Sequence, residues 1–438
     1  MNEAVDMLIE PRWIIPIEPP GSVLESHSVA VRNGCILAVL PTDSARSRFV
    51  ADTAVTLPDH VLLPGLVNAH THAAMALLRG LGDDLPLMRW LQEAIWPAEG
   101  RLVCADFVHD GTLLACAEML RGGVTCFSDM YFFPDAAARA AALAGVRCVL
   151  GIIAIEFASG YASDADDYLA KGLATRDAWR SDPLVSFSMA PHAPYTVSDR
   201  TFGRILMLAE QLDLPIHLHV HETVHEIEES VSQHGMRPIE RLQRLGLVGP
   251  SLIGVHAVHL SHKEIDLLAR NACSVVHCPT SNMKLASGIA PIRQLKDAGV
   301  RVALGSDGAA SNNRLDILQE MRQAALLSKV ATGDASSLPA HQSLRMATLD
   351  GAAALGLGER IGSIEAGKLA DLIAIDLGDW IAAPCFDPAS HIVYVAGREQ
   401  VSHVWVGGQP RMLDKALLQF SNTELRRISN LWHNKLVT

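Results

Sequence analysis

The chain has 438 residues, of which 49% are hydrophobic and 19% charged. This composition supplies a large buried core and excludes widespread disorder. With 36 Lys and Arg against 48 Asp and Glu, the net charge of −12 argues against nucleic acid and anionic membranes as partners. The eight cysteines include no C-x-x-C pair, and no stretch reaches the ~18 apolar residues of a membrane helix. We therefore expect a cytoplasmic protein with reduced thiols.

Both ends of the chain contain short apolar runs that are separated by Gly, Pro and Asn turns. In the N-terminal part these runs lie at 13–17, 28–31 and 35–40. Runs of this kind predict a small antiparallel sheet within residues 1–62. Similar material returns near the C-terminus at 372–375, 392–395 and 401–406.

Between these ends, eight apolar runs of strand length alternate with helical patterns. They lie at 62–69, 124–129, 146–155, 184–190, 215–221, 252–257, 273–277 and 300–306. Eight such repeats are typical of a parallel (β/α)8 TIM barrel whose two faces are covered. A doubly wound open sheet is the competing architecture, but no Gly-rich dinucleotide motif supports it.

The intervals between these runs predict the helices of the barrel. Helical patterns lie at 199–212, 225–245 and 315–330. The interval 70–123 is long for one crossover, and it therefore predicts a helical insertion over the barrel mouth.

The first barrel strand ends in two histidines. His70 and His72 stand at positions i and i+2, which point the same way in an extended chain. Neutral imidazoles are good ligands for borderline ions such as zinc. A single H-x-H pair is weak evidence by itself.

The fifth strand carries three alternating histidines, His217, His219 and His221, directly before Glu222. Burying an imidazole without a partner costs roughly 1–3 kcal/mol, so core packing explains this pattern poorly. Not all three histidines can bind one ion, and the alternation alone does not choose among them.

Polar groups also end the fourth, sixth and eighth strands, as His192, His256 and Asp307. His259 follows shortly after the sixth. Active sites of parallel barrels lie at the C-terminal ends of the strands. The coincidence of these residues with those ends predicts a metal-dependent active site at the barrel mouth.

The segments Leu63–His72 and Ile361–Leu372 carry a resemblance to a known family. The chain resembles the amidohydrolase superfamily, in the branch of adenosine-type, guanine, cytosine and triazine hydrolases, over nearly its whole length. The resemblance implies a distorted (β/α)8 barrel over residues 63–365. It also implies a small β-sandwich built from residues 1–62 and residues 366–438, with a terminal helix in the latter.

The resemblance implies a set of metal ligands. In that family the ligands are the histidines of H-x-H, a strand-five histidine three residues before a glutamate, and a strand-eight aspartate. The matching residues here are His70, His72, His219 and Asp307. The fourth strand has no lysine of the kind that bridges two ions in some relatives, so we expect one divalent ion, zinc.

Within the superfamily, the segments Gly82–Leu91 and Ile95–Glu99 resemble the 5′-methylthioadenosine/S-adenosylhomocysteine deaminases. In that group a tryptophan lines the pocket, a glutamate binds the ribose hydroxyls and a histidine contacts the substrate. These roles match Trp90, Glu99 and His192. A carboxylate suits a ribose because its two oxygens can accept both vicinal hydroxyl protons.

Two further features of the group are less specific in this chain. The segment Ser281–Gly288 matches the group, and we expect it to shape a loop without assigning it a contact. The sequence does not identify the arginine that would bind a homocysteine carboxylate; Arg147, Arg176 and Arg180 are candidates.

The implied reaction is hydrolytic deamination of the adenine ring in 5′-methylthioadenosine and S-adenosylhomocysteine, with adenosine as a further candidate. Glu222, His256 and Asp307 would carry out the proton transfers. One alternative is a hydrolase of another aminoheterocycle, such as a triazine, guanine or cytosine, and a remote one is a catalytically silent scaffold. Relatives are usually oligomers, so a homo-oligomer is expected.

Overall fold

The protein contains two large sheets in a computed structural model that describes residues 3–437. Eight parallel strands form a barrel, and nine strands from both ends of the chain form a mixed sheet beside it. This architecture confirms the predicted barrel with a terminal β domain. Among residues 3–437, no helix combines the length and apolarity needed to cross a bilayer.

The N-terminal strands of the mixed sheet are followed by a short helix and a long strand. They are β1 (Glu3–Ile14), β2 (Leu24–Glu25), β3 (His27–Arg32), β4 (Cys35–Pro41), α1 (Thr42–Arg48) and β5 (Phe49–Pro64). β1 pairs antiparallel with β3, but it pairs parallel with β5. The prediction of a purely antiparallel sheet is therefore wrong. Helix α1 returns the chain to the end where β1 began, as a parallel connection requires.

All eight predicted barrel runs are confirmed as strands. They are β6 (Leu66–Thr71), β7 (Val124–Asp129), β8 (Arg147–Ala154), β9 (Val185–Pro191), β10 (Ile216–Val220), β11 (Leu252–His256), β12 (Ser274–His277) and β13 (Arg301–Leu304). They pair in sequence order, and each is parallel to its neighbour. The first and last strands meet where the Asp307 N–H donates to the His70 carbonyl at 3.0 Å.

The predicted insertion lies between β6 and β7. It contains a 3₁₀ turn (Ala73–Leu78), α2 (Leu87–Trp90), a π turn (Leu91–Ile95), α3 (Trp96–Leu102) and α4 (Ala105–Arg121). Its residues Leu87, Trp90 and Glu99 line the cavity at the barrel mouth. The insertion therefore supplies one wall of the candidate site.

The remaining helices alternate with the barrel strands or follow them. They are α5 (Pro134–Ala144), α6 (Ala165–Trp179), α7 (Asp199–Leu212), α8 (Val224–His234), α9 (Pro238–Arg244), α10 (His262–Arg270), α11 (Pro279–Lys284), α12 (Ile292–Asp297), α13 (Ala309–Asn312), α14 (Ile317–Thr332), α15 (Ala340–Met346) and α16 (Leu349–Ala354). The single helix predicted over 225–245 is wrong, because α8 and α9 are separate. Gly235, at φ +70°, ends α8, and Pro238 begins α9.

The C-terminal part completes the mixed sheet and ends in a helix. Its elements are β14 (Leu372–Asp376), α17 (Pro388–Tyr394), β15 (Val401–Val406), β16 (Gln409–Leu413), β17 (Ala416–Leu417) and α18 (Asn422–Val437). The predicted strand run at 392–395 is wrong, since it lies largely in α17. Asp387 caps that helix by accepting from the Ala389 N–H, and Pro388 suits the first helical position. The domain boundaries predicted at 62 and 365 stay predictions.

Candidate active site and metal centre

A cavity of about 290 Å³ opens at the C-terminal ends of the barrel strands. Eight of the nine predicted site residues line it: His72, Trp90, Glu99, His192, His219, Glu222, His256 and Asp307. The ninth, His70, is fully buried and lies directly behind His219. The fold thus brings all the predicted site residues to one place.

Three histidines and one carboxylate converge at the base of this cavity. One ring nitrogen each of His70, His72 and His219 lies within 4.8 Å of the other two. The Nε2 atoms of His70 and His219 are 3.2 Å apart. The Asp307 Oδ1 atom lies 3.3 Å from Nε2 of both His70 and His72. Four donor atoms therefore face a common point.

Backbone carbonyls fix the orientation of two of these imidazoles. His72 donates from Nδ1–H to the Met130 carbonyl at 2.6 Å. His219 donates from Nδ1–H to the His192 carbonyl at 2.8 Å. With the proton on Nδ1, the Nε2 lone pair of each ring points to the common point. Such outer hydrogen bonds are usual for metal-binding histidines.

The third imidazole is oriented by a side chain that the sequence left unassigned. His70 Nδ1 lies 3.1 Å from His217 Nε2, and His217 Nδ1 lies 3.1 Å from the Ser128 hydroxyl. Burial holds the pKa of His217 well below its usual value, so this ring is neutral and can accept from His70. His217 thus orients a ligand-type histidine from behind the site.

The carboxylate of Asp307 is held at both oxygens. Its Oδ2 accepts from the hydroxyls of Ser281 at 2.7 Å and Ser311 at 2.8 Å. Burial alone would raise the pKa of Asp307, but the adjacent rings of His70 and His72 hold it well below the usual range. Asp307 is therefore a carboxylate in the folded protein.

The charge balance of the cluster calls for a cation. Burial lowers the pKa of His70 to about 4, so its ring is neutral. Burial also disfavours charge on His72, but the hydrogen bond and charge of Asp307, the Met130 carbonyl and the charge of Asp129 together outweigh it and raise the pKa of His72 to about 9. Without an ion, a proton on His72 thus supplies the positive charge that Asp307 requires.

These donors fit a divalent metal ion such as zinc. Zinc binds imidazole at about 2.0–2.1 Å in tetrahedral geometry, which places two ligand nitrogens roughly 3.3 Å apart. The 3.2 Å between the Nε2 atoms of His70 and His219 matches that spacing. The cluster can therefore hold a metal ion with three nitrogen ligands and one oxygen ligand.

Glu222 and His256 lie beside the cluster. His256 donates from Nδ1–H to the Asn282 side-chain oxygen at 2.9 Å, which leaves its Nε2 lone pair facing the cavity. That Nε2 atom is 3.8 Å from Oε2 of Glu222. Burial raises the pKa of Glu222 above that of an exposed glutamate, as suits a proton donor. The pair offers one proton donor and one acceptor.

The turn that presents Glu222 depends on Glu226, four residues later. Its carboxylate oxygens accept from the backbone N–H groups of His221 and Glu222, both at 2.8 Å. His221 itself lies in the left-handed region at φ +56°. A left-handed residue at this point costs free energy that the surrounding contacts must offset. Glu226 is one of those contacts, and sequence reasoning missed it.

The insertion contributes Glu99 and Trp90 to the lining of the cavity. Tyr131 donates from its hydroxyl to Oε1 of Glu99 at 2.6 Å. Burial raises the pKa of Glu99, and the Tyr131 hydrogen bond partly offsets that rise. The indole N–H of Trp90 donates to the Leu81 carbonyl at 3.1 Å, so its ring plane is fixed. His192, also in the lining, bonds through Nδ1 with the Thr196 hydroxyl at 3.0 Å.

The arginines that the sequence left open do not line this cavity. Arg147 begins β8 at the opposite end of the barrel and pairs with Asp371 at 3.0 Å. Arg176 lies on α6 and pairs with the neighbouring Asp177 at 3.1 Å. Arg180 follows the same helix.

Comparisons with known proteins agree with this geometry. Residues 61–411 match the model of the Amidohydrolase family. The 5-methylthioadenosine/S-adenosylhomocysteine deaminases of Saccharophagus degradans and Syntrophobacter fumaroxidans are each 44% identical to this chain. The first aligns over 431 residues, 98% of this chain and 97% of the relative, and the second over 424 residues, 97% of each.

Solved structures share the same architecture. An adenosine deaminase from Xanthomonas campestris with bound zinc is 50% identical and superposes with a TM-score of 0.98, covering 100% of this chain and 99% of that one. An atrazine chlorohydrolase from Arthrobacter aurescens complexed with zinc is 23% identical, with a TM-score of 0.90 over 97% of this chain and 99% of its own. The second likeness concerns the fold alone.

Proposed function

The chain belongs to the amidohydrolase family, and on that premise we propose that it is a metal-dependent hydrolytic deaminase of adenine nucleosides. Its proposed substrates are 5′-methylthioadenosine and S-adenosylhomocysteine, with adenosine as a further one. One observation carries the proposal. A metal-type cluster shares its cavity with the carboxyl of Glu222, whose pKa is raised by burial, and with a second buried carboxyl, Glu99, placed to bind a sugar.

We assign one divalent ion, zinc, to His70, His72, His219 and Asp307. The support is the convergence of three nitrogens and one carboxylate oxygen, each held by a second hydrogen bond. A divalent ion held there acidifies a water molecule and so supplies the attacking nucleophile at neutral pH.

Three side chains would move the protons of the reaction. His256, with Nδ1–H committed to Asn282, accepts a hydrogen bond from the attacking water at Nε2. Asp307 accepts the water proton, and Glu222 donates its own proton to the ring nitrogen beside the attacked carbon. Asp307 then returns a proton to the exocyclic amine, which leaves as ammonia. The added hydroxyl loses its proton to Glu222, which restores that carboxyl and leaves an oxo group on the ring. Each proton-transfer group of this kind typically contributes about 10²–10⁴-fold to the rate.

Glu99 would bind the ribose of the substrate. The Tyr131 hydroxyl occupies one lone pair of Oε1, which leaves Oε2 and the second Oε1 lone pair free for the two vicinal hydroxyls. Trp90 and His192, in the same lining, would contact the rest of the nucleoside. A free base would leave Glu99 without a partner.

A substrate panel tests the proposal. Zinc-loaded protein would be mixed with 5′-methylthioadenosine, S-adenosylhomocysteine, adenosine, adenine, guanine, cytosine and a chlorotriazine, and ammonia and the ultraviolet shift to hypoxanthine would be followed. We expect turnover of nucleosides and none of the free bases or the triazine. If a base or the triazine is hydrolysed and no nucleoside is, the metal-site assignment stands but the proposed nucleoside substrate is wrong.

Replacing the ribose-binding carboxylate separates nucleoside hydrolysis from base hydrolysis. We expect Glu99→Ala to lower kcat/KM for 5′-methylthioadenosine by about 100-fold or more, because two charge-assisted hydrogen bonds are lost. Any trace activity on adenine should stay unchanged. Glu93→Ala, an exposed glutamate on the same insertion, is the matched control and should be neutral. If kcat/KM falls equally for the nucleoside and the base, Glu99 does not bind the ribose.

The predicted homo-oligomer and cytoplasmic location stay part of the proposal. Sedimentation of the purified protein measures the first of these. A purely monomeric protein at micromolar concentration would contradict it.

A further inference from the structure

We infer that the outer part of the cavity selects nucleosides with an uncharged 5′ group, so that 5′-methylthioadenosine is a much better substrate than S-adenosylhomocysteine. The inference rests on the proposed function and specifies it. It follows from the side chains that line the cavity beyond Glu99.

The orientation of the nucleoside assigns this outer part to the 5′ group. The metal-type cluster, Glu222 and His256 mark the end where the base reacts. Glu99, which accepts from Tyr131, would hold the ribose. What remains of the cavity is lined by the loop after β8, at 155–161, and by the insertion. The 5′ substituent has only this space to occupy.

Aromatic rings continue from the ribose site into this space. Tyr131, which holds Glu99, lies 5.3 Å between ring centroids from Phe132. Behind the lining, the buried ring of Tyr168 lies between Phe132 and Tyr161, at 6.2 and 5.8 Å between ring centroids. Phe157 adds a half-exposed ring at the rim. This wall suits a small apolar group such as a methylthio substituent.

The same lining offers nothing to a carboxylate. Among residues 3–437, the side chains that line the cavity include no Lys or Arg, and the charged ones are the acidic Glu99, Glu222 and Asp307. The homocysteine tail carries a carboxylate and an ammonium group. Against the aromatic wall its carboxylate would lose part of its water without gaining a cationic partner, which costs free energy.

The cations nearest to this wall are already paired outside it. Lys171 binds Asp167 at 2.8 Å and the Tyr161 carbonyl at 2.7 Å. Its Nζ lies 5.6 Å from the centroid of the Tyr161 ring but does not line the cavity. On the insertion, Arg89 binds Glu93 with two hydrogen bonds, at 2.8 and 3.0 Å.

The loop after β8 also contributes two neutral hydroxyls, those of Tyr161 and Ser159. The Tyr161 hydroxyl is buried and has no hydrogen-bond partner among residues 3–437. The Ser159 hydroxyl already accepts from Tyr168 at 2.6 Å and from the Tyr161 N–H at 3.1 Å. One free phenol can donate a single neutral hydrogen bond, which is weaker than the bond that a cationic partner would make to a carboxylate.

A matched set of three nucleosides tests the inference on the zinc-loaded, full-length protein. The set is 5′-methylthioadenosine, S-adenosylhomocysteine and 5′-butylthio-5′-deoxyadenosine, whose neutral tail has nearly the length of homocysteine. We expect kcat/KM for S-adenosylhomocysteine to be at least about 100-fold below that for 5′-methylthioadenosine. The butylthio compound should stay within about 10-fold of the methylthio one.

The outcomes separate the inference from the function on which it rests. A smaller deficit for S-adenosylhomocysteine would overturn charge selection, since a carboxylate would then be accommodated. An equally low kcat/KM for the butylthio compound would also overturn charge selection, because the cavity would then exclude long substituents whatever their charge. No turnover of any of the three nucleosides would instead overturn the proposed deaminase function.

Discussion

Glu222 combines three properties that the proposed chemistry requires of a proton donor. It is buried, its pKa is raised by that burial, and its Oε2 lies 3.8 Å from His256 Nε2 without belonging to the ligand cluster. A neutral carboxyl beside a metal site can protonate a ring nitrogen at neutral pH, whereas an ionised one cannot.

Glu222→Gln should therefore abolish turnover while leaving the metal bound. The amide keeps the shape of the side chain but has no acidic proton to transfer, so we expect kcat for 5′-methylthioadenosine to fall by about 10²–10⁴-fold. Rate and metal content would be measured on the same preparation. A variant with full metal and a near-normal rate would remove Glu222 from the mechanism.

The sequence predicted the residues that point into the cavity better than the residues that hold them. The i, i+2 spacing of His70 and His72 and the end of β13 at Asp307 follow from strand geometry. The contact between His70 and His217 joins β6 to β10 across the barrel, at 3.1 Å. No spacing along the chain encodes such a contact, so His217 stayed an unassigned neighbour.

At the scale of elements, the turn from β10 into α8 carries the proposed proton donor. Glu226 stands in the first turn of α8, and its side chain reaches back to the N–H groups of His221 and Glu222. Glu226 itself neither lines the cavity nor belongs to the ligand cluster. We assign it as a positioning residue for Glu222.

Glu226→Gln should lower kcat by about 10-fold or more with little change in KM or metal content, because only one of its two acceptor oxygens remains. Steady-state kinetics on 5′-methylthioadenosine measures both parameters. Glu228→Gln, an exposed position on the same helix, is the control and should behave as the wild type. A rise in KM with kcat unchanged would assign Glu226 to substrate binding instead.

One helix was predicted with its observed bounds, and two others were missed at residues that cap or break a helix. The helix at Asp199–Leu212 was predicted with its observed bounds, and Ser198 caps it by accepting from the Thr201 N–H. The pattern over 225–245 continues in its apolar positions, but Gly235 and Pro238 interrupt it. Likewise, Asp387 and Pro388 start a helix in a run that is otherwise typical of a strand.

At the scale of the whole molecule, one buried ion pair ties the barrel to the mixed sheet. Arg147, at the start of β8, donates to both carboxylate oxygens of Asp371, at 3.0 and 3.2 Å. Both side chains are almost completely buried, and Asp371 also accepts from the Gly407 N–H at 2.7 Å. The pair therefore couples the barrel to the start of β14 and, through Gly407, to the end of β15.

Asp371→Ala should destabilise the protein by about 3–5 kcal/mol, because it leaves the Arg147 guanidinium buried without a counter-charge. The urea midpoint followed by circular dichroism measures the loss. Asp297→Ala breaks an exposed pair with Arg293 and should cost about 0–1 kcal/mol. Similar small losses in both variants would show that the Arg147 pair does not couple the two sheets.

The order of strands along the barrel was predictable, but the mixed sheet was not. Continuous apolar runs separated by helices admit few arrangements other than a parallel barrel. The parallel pairing of β1 with β5 depends on how α1 returns the chain, which local pattern does not determine. The same holds for the buried Arg147, which the sequence offered only as a candidate for substrate binding.

The most direct test of a one-metal deaminase is a zinc titration of the metal-free protein with 5′-methylthioadenosine as substrate, followed by the ultraviolet shift to the inosine product. We expect no turnover without the ion and a linear rise in rate with added zinc that ends at one ion per chain. Undiminished turnover in the stripped protein, or a rise that continues to two ions per chain, would contradict this account.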